Sequence, residues 1–172
     1  AALLTAHFER PAIVLLTARR NIRTMMIPYT VTTTPSTLQF ATAVSRKTDT
    51  EAATRDLADA ILMQVGTVPI DLVFVFFSAH HASKATMISA MLQRALRAKV
   101  CLGCSGEGVI AGSEEIETAA ALTVWVACLP DVKLTPQQLS VSQLQDQIRM
   151  LGWPEPGLED SSFLLLADPF ST

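Results

Sequence analysis

The sequence predicts a single-domain α/β fold with a mixed, mainly parallel β-sheet and flanking helices. Its 172 residues are enough for one domain with a sizeable core. Hydrophobic residues make up 49% of the chain and charged residues 17%, as in a globular protein. From residue 38 onward, strand-like and helix-like patterns follow the order β-α-β-α-β. That order calls for parallel strands joined by right-handed crossovers.

The first predicted strand and helix follow from the spacing of apolar residues. Residues 38–45 alternate apolar and polar side chains, as half-buried strands do. Thr48 or Asp49 is placed to cap the helix that follows. Gly66 is placed to end it.

A buried strand, a second helix and a third strand come next. Residues 71–77 are nearly all apolar, which is typical of a central strand covered by helices on both faces. Ser83 is placed to cap a helix that runs to about Lys99. The third strand spans residues 99–104.

The second half of the chain predicts an antiparallel strand pair, a helix and a last strand. Residues 118–130 and 131–136 form the pair, separated by the break between Pro130 and Asp131. Residues 140–151 are expected to be helical. Residues 163–168 are expected to form another buried strand.

We expect residues 1–37 to be a leader, disordered or not native, ahead of a domain at 38–172. The first 24 residues hold four arginines and one acid, and Met25 or Met26 is an alternative start. Organelle transit peptides are Arg-rich and acid-poor, but they are also Ser-rich, and serine is absent from these residues. A transit peptide is therefore the less favoured interpretation.

Charge and cysteine content limit the cellular compartment and the classes of binding partner that we expect. A net charge of −3 with scattered Lys and Arg offers no basic stripe for nucleic acid. Three cysteines are an odd count for a disulfide framework, which favours a reducing, cytoplasmic setting. No apolar run approaches the roughly 20 residues that span a bilayer. We expect no cofactor.

Residues 100–117, VCLGCSGEGVIAGSEEIE, partly match three motifs. Cys101 and Cys104 form a CxxC pair, but on a strand their Cα atoms would lie roughly 10 Å apart, too far for a disulfide. The sequence G-C-S-G-E fails the nucleophile elbow at Glu107. The G-x-G-x-x-A spacing from Gly106 resembles a dinucleotide fingerprint, but Gly112 and the glutamates interrupt the helix that this motif needs.

Glycines and polar side chains at the ends of the predicted strands favour a small-ligand site. Gly103, Gly106, Gly108 and Gly112 permit positive φ angles and close approach of a ligand. Open α/β sheets bind ligands at the carboxyl ends of their strands. A hydrolase that uses Cys104 or Ser105 with His80 or His81 is an open alternative, because these residues also fall at that edge. The candidate ligand-binding residues are Ser78, His80, Gly103, Cys104, Ser105, Gly106, Glu107, Gly108 and Asp168.

Four blocks of the chain, in order, resemble the N-terminal FIST domain, a sensory module of signalling proteins. They read DLVFVFFSAHHA from residue 71, CLGCSGEGVIAGSEEIE from 101, ALTVWVACLPDVKL from 121 and FLLLADPFS from 163. The resemblance covers roughly residues 38–172. The positions that carry the family pattern are Gly103, Cys104, Gly108, Val109, Ile110, Glu115, Ile116, Glu117, Ala167, Asp168, Pro169 and Phe170.

The resemblance implies a non-enzymatic sensor of small ligands, with amino acids proposed. It also implies a C-terminal FIST domain or a signalling output domain as partner, so the domain is expected to be incomplete at its C-terminus. Related F-box proteins imply an alternative, a protein-interaction module that recruits substrates. For the ligand, we expect backbone N–H groups of residues 105–108 to receive a carboxylate. Ser78, His80 and Asp168 would line the rim, and the glutamates would suit an ammonium group.

Overall fold

The computed structural model describes residues 2–3, 13–20, 38–144, 147–153 and 161–167. Within these ranges the helices are α1 (Thr50–Val65), a 3₁₀ helix (Ala79–Lys84) and α2 (Ala85–Leu96). The strands are β1 (Ala2–Leu3), β2 (Ile13–Arg20), β3 (Gln39–Ser45), β4 (Leu72–Ser78), β5 (Val100–Gly106), β6 (Gly108–Ala111), β7 (Glu114–Glu117), β8 (Leu122–Cys128), β9 (Val132–Leu144), β10 (Gln147–Leu151) and β11 (Ser161–Leu166).

The first sheet has five strands in the order β1-β5-β4-β8-β3. β5 is parallel to both β1 and β4. β8 lies antiparallel between β4 and β3. The strands β3, β4 and β5 therefore run in one direction, as the β-α-β-α-β order predicts, but an antiparallel strand separates β3 from β4.

The second sheet has four strands in the order β10-β9-β2-β11, and every neighbouring pair is antiparallel. A separate hairpin of β6 and β7 follows β5 directly. β2 lies inside the predicted leader, where it pairs with both β9 and β11. The boundary at residue 38 stays a prediction.

The first sheet is covered by helices on one face and by the second sheet on the other. Val73, Val75 and Phe77 of β4 face the buried cluster that α1 and α2 complete. Leu72 packs instead with Val14 of β2, in a second cluster that joins the two sheets. Each apolar side chain buried in this way contributes about 1.5–3 kcal/mol.

The predicted fold class is therefore wrong: the molecule is mostly β, and the helices in the described ranges cover one face of the first sheet. Six of the eight strand pairs among the described residues are antiparallel. An all-apolar strand such as β4 requires an apolar layer on each side, and a sheet satisfies that requirement as well as helices do. The helix expected at 140–151 is also wrong, since the described residues there belong to β9 and β10.

Of three further sequence predictions, one helix cap is confirmed, while the second helix cap and the burial of the last strand are wrong. Asp49 caps α1 as expected, accepting a hydrogen bond from the Ala52 N–H at 2.8 Å. Ser83 does not cap α2, because the 3₁₀ helix occupies the residues before Ala85. β11 is an edge strand with exposed leucines rather than a buried strand.

Among the described residues no helix combines the length and apolar character needed to cross a membrane.

Candidate functional site

β4 and β5 end together at one edge of the first sheet. Their parallel register places Phe76 beside Cys104, Phe77 beside Ser105 and Ser78 beside Gly106. On the far side of β5, β1 pairs only with Val100 and Cys101, so among the described residues the rest of β5 has no strand partner there. Within the described ranges, Cys104 and Ser105 of this strand are half-buried and Gly106 is exposed.

Gly103 is required by the close approach of β4. A Cβ at this position would lie 1.9 Å from the carbonyl oxygen of Val75. Gly106 and Gly108 lie in strands rather than in the flexible turn that the sequence predicts, and only Glu107 separates β5 from β6. Of the four glycines in this stretch, only Gly112 has a positive φ, of 61°. Of the two properties expected of these glycines, close approach is therefore found at Gly103 and a positive φ at Gly112.

Ser78 fixes the end of β4 to the residue before β8. Its N–H donates to the Ala121 carbonyl at 2.9 Å, and the Ala121 N–H donates to Ser78 Oγ at 3.0 Å. The same hydroxyl lies 3.3 Å from His80 Nδ1. Ser78 is buried and His80 is exposed. Ser78 therefore joins the end of β4 to the residue before β8, and the exposed His80 ring lies next to its hydroxyl.

His81 has a different environment from its neighbour. Its ring is completely buried, and Nδ1 lies 2.9 Å from Thr50 Oγ1 at the start of α1. Among the described residues the histidines therefore bond to Ser78 and Thr50, not to Cys104 or Ser105. Neither histidine is thus placed as a base for those two nucleophiles.

The thiols are in environments that keep them protonated. Burial raises the pKa of Cys101 to about 12 and also raises the pKa of half-buried Cys104. Burial and the carboxylate of Asp71 raise the pKa of Cys128. All three cysteines are free, and no cluster of metal ligands occurs in the described ranges. A thiol with a raised pKa is a poor nucleophile at neutral pH.

The hairpin after β5 replaces the helix that a dinucleotide motif or a nucleophile elbow requires. Val109 and Ile116 face inward and pack with Ala121. Glu107, Glu115 and Glu117 are exposed. Glu114 forms an ion pair with Arg46 at 2.5 Å. The hairpin therefore presents an acidic outer surface close to the end of β5.

Asp168 lies outside the described residues. The strand that precedes it, β11, belongs to the second sheet, where it pairs with β2. The sequence prediction had placed all the site residues at one edge of a single sheet. The structure pairs the end of β4, up to Ser78, with residues 103–106 and places His80 next to the Ser78 hydroxyl. It does not describe Asp168.

An aromatic strip was not predicted from the sequence. Phe40 stacks on Trp125 with ring centroids 5.5 Å apart, and Phe74 lies 5.8 Å from Trp125 and 6.3 Å from Phe76. These four residues form the strip, on the face of the first sheet opposite the helices. Phe40 and Trp125 remain 55% and 37% exposed. The alternation in residues 38–45 could have indicated that Phe40 is exposed, because it puts Phe40 on the same face of the strand as the polar Thr42.

Comparison with family models identifies the chain. A model of the FIST N domain matches residues 71–172, from the start of β4 past β11. Because this match covers more than half of the chain, the protein belongs to the FIST N domain family, a family of sensory domains in signal transduction. No curated protein and no solved structure matches the chain.

Proposed function

We propose that the shared end of β4 and β5 binds a small polar ligand, an amino acid, in a non-catalytic sensory role. The observation that carries this proposal is the parallel pairing of the two strand ends. It sets Ser78, whose hydroxyl lies 3.3 Å from His80 Nδ1, beside Gly106. In the described ranges the far side of β5 has no strand partner beyond Cys101. Backbone N–H groups of β5 that have no strand partner in the described part of the chain would suit a ligand carboxylate.

Charge on the adjacent segment supports an amino acid rather than a simple anion. Exposed Glu107 follows β5 directly, and the hairpin adds exposed glutamates. A carboxylate near the ligand's ammonium group would form a charge-assisted hydrogen bond. A dianion such as a phosphate would be repelled by the same side chains.

The odd cysteine count and the three free thiols support a reducing, intracellular location for the sensor.

Titration calorimetry of the chain with the twenty amino acids tests this proposal. We expect at least one to bind, with affinity lowered about tenfold by His80→Ala, which equals about 1.4 kcal/mol. Glu107→Gln is expected to weaken binding of that amino acid but not of its N-acetyl derivative, which lacks the ammonium charge. Asp59→Asn, which removes an exposed carboxylate on α1, is the matched control. Absence of heat with every amino acid would contradict the proposal.

A protein-interaction role is the second candidate, and exposed apolar side chains favour it. Phe163, Leu164 and Leu165 of β11 are 46%, 41% and 48% exposed. Contiguous exposed apolar surface is typical of protein-binding sites. On this alternative, a double variant, Phe163→Ser with Leu165→Ser, would abolish binding of a purified partner. His80→Ala would leave partner binding unchanged, whereas it weakens amino-acid binding in the first proposal.

A further inference from the structure

The junction between the 3₁₀ helix and α1 contains a buried histidine with only half of its hydrogen-bonding capacity satisfied. His81 is fully buried, and its Nδ1 lies 2.9 Å from Thr50 Oγ1. Nε2 is also buried and has no hydrogen-bond partner among the described residues. In a neutral ring one nitrogen donates and the other accepts, so the Thr50 contact suits either tautomer.

Protonation would place a charge and a second donor in this closed junction. Both ring nitrogens would then carry protons, and Nε2–H would face no acceptor in the described part of the chain. Thr50 begins α1, and the positive end of the helix dipole opposes a neighbouring cation. A buried, unpaired charge is costly, so the charged ring favours an opened junction.

The groups around the ring mostly oppose its charge. Burial is the largest cause that lowers the pKa of His81, followed by His80 and Lys84 of the 3₁₀ helix. Asp49 at the cap of α1 acts in the opposite direction. Among the described residues, β4, β5 and α2 contribute no charged group that acts on the ring. The closed state therefore keeps His81 neutral to a lower pH than the open state does.

We propose that His81 is an acid-sensitive latch that holds the 3₁₀ helix against the start of α1 at neutral pH and releases it on acidification. The direction follows from proton linkage: the open junction binds the proton more tightly, so the stability of the closed junction is complete above the ordinary histidine pKa and falls below it. The latch is a property of the chain itself and does not depend on whether the β4–β5 edge binds an amino acid.

Hydrogen exchange of the intact chain between pH 7.5 and 5.0 tests the latch. After correction for intrinsic rates, we expect amides of Ala79–Lys84 to open up to about 30-fold more at pH 5.0, the limit for an open-state pKa of 6.5. Amides of β8 are the internal reference and should change less. His81→Gln should remove this pH dependence, and His80→Gln should retain it. An unchanged pH response in His81→Gln would overturn the proposal.

A measurement on the wild-type chain keeps the test independent of how His81→Gln folds. The ring signal of His81 is followed by NMR across the same pH range. We expect the His81 ring to stay neutral until amides of the 3₁₀ helix begin to exchange. Titration of the His81 ring in a junction that stays closed would also overturn the proposal.

Discussion

Among the described glycines, Gly103 has the closest neighbouring backbone. A side chain there would meet the Val75 carbonyl at 1.9 Å. Backbone cannot move aside as the end of a flexible side chain does, so β5 would have to separate from β4. The pairing that sets Cys104 and Ser105 beside the end of β4 therefore depends on this glycine.

Gly103→Ala is expected to destabilise the fold by about 3 kcal/mol or more, at the upper end of overpacking effects. Urea unfolding followed by tryptophan fluorescence measures the change. Gly108→Ala is the matched control, because its Cβ would make ordinary contacts with Glu117 Cγ at 3.4 Å and the Ile116 carbonyl oxygen at 3.7 Å. Equal stability of the two variants would contradict the close approach of β4 and β5.

Asp71 is a buried carboxylate that joins three segments at the opposite end of β4. Oδ2 accepts the Leu129 N–H, and Oδ1 pairs with Lys99 Nζ, both at 2.5 Å. Asp71→Ala would leave the Leu129 N–H without its acceptor, and we expect a loss of about 2–4 kcal/mol in unfolding free energy.

Lys99→Ala separates the two contacts of Asp71. The lysine side chain is 67% exposed, so its removal should cost only about 0–1 kcal/mol. Chemical denaturation of both variants compares them. A larger loss for Lys99→Ala than for Asp71→Ala would show that the ion pair, and not the hydrogen bond to Leu129, stabilises this end of the sheet.

At the scale of elements, α1 protects the exposed edge of β3. Gln64 Nε2 donates to the Thr42 carbonyl at 2.9 Å, and Gln39 Nε2 donates to the Gln64 carbonyl at 3.1 Å. Sheet edges with unpaired backbone groups promote association between chains. The exposed Phe40 makes this edge apolar as well. The two glutamine hydrogen bonds, here called the glutamine cap, therefore offset a tendency of the chain to self-associate through β3.

Gln64→Ala is expected to increase self-association through β3. Sedimentation velocity at rising protein concentration should show a dimer fraction larger than in the wild type. Arg55→Ala, an exposed change on the same helix, serves as the control and should sediment like the wild type. Identical profiles for Gln64→Ala and the wild type would mean that the cap does not govern association.

Local patterns predicted some elements correctly and misassigned others. The alternation in residues 38–45 and the Asp49 cap correctly located β3 and α1, because both signals lie within a few residues. Residues 140–151 were assigned to a helix, yet the described part pairs as strands. That pairing depends on contacts with β2, more than a hundred residues earlier in the chain. Local periodicity contains no information about such partners.

For the whole molecule, the fold class depended on what covers the second face of the first sheet. The apolar run of β4 correctly predicted a central strand, but helices and a second sheet supply equivalent apolar layers. The sequence could predict that β4 and β5 end at the same edge, where Ser78 lies beside Gly106, but the ligand site at that edge stays a prediction. The buried contact of His81 with Thr50 was not predicted, because nothing local links residues 31 positions apart.

We propose above that the β4–β5 edge is the ligand-binding surface of this FIST N domain. NMR chemical-shift mapping with the amino acid that binds in calorimetry tests it most directly. We expect shift changes for Ser78–His80 and for residues 103–108, with small changes in the second sheet. Changes confined to β11 or the aromatic strip, with none at the β4–β5 edge, would contradict it.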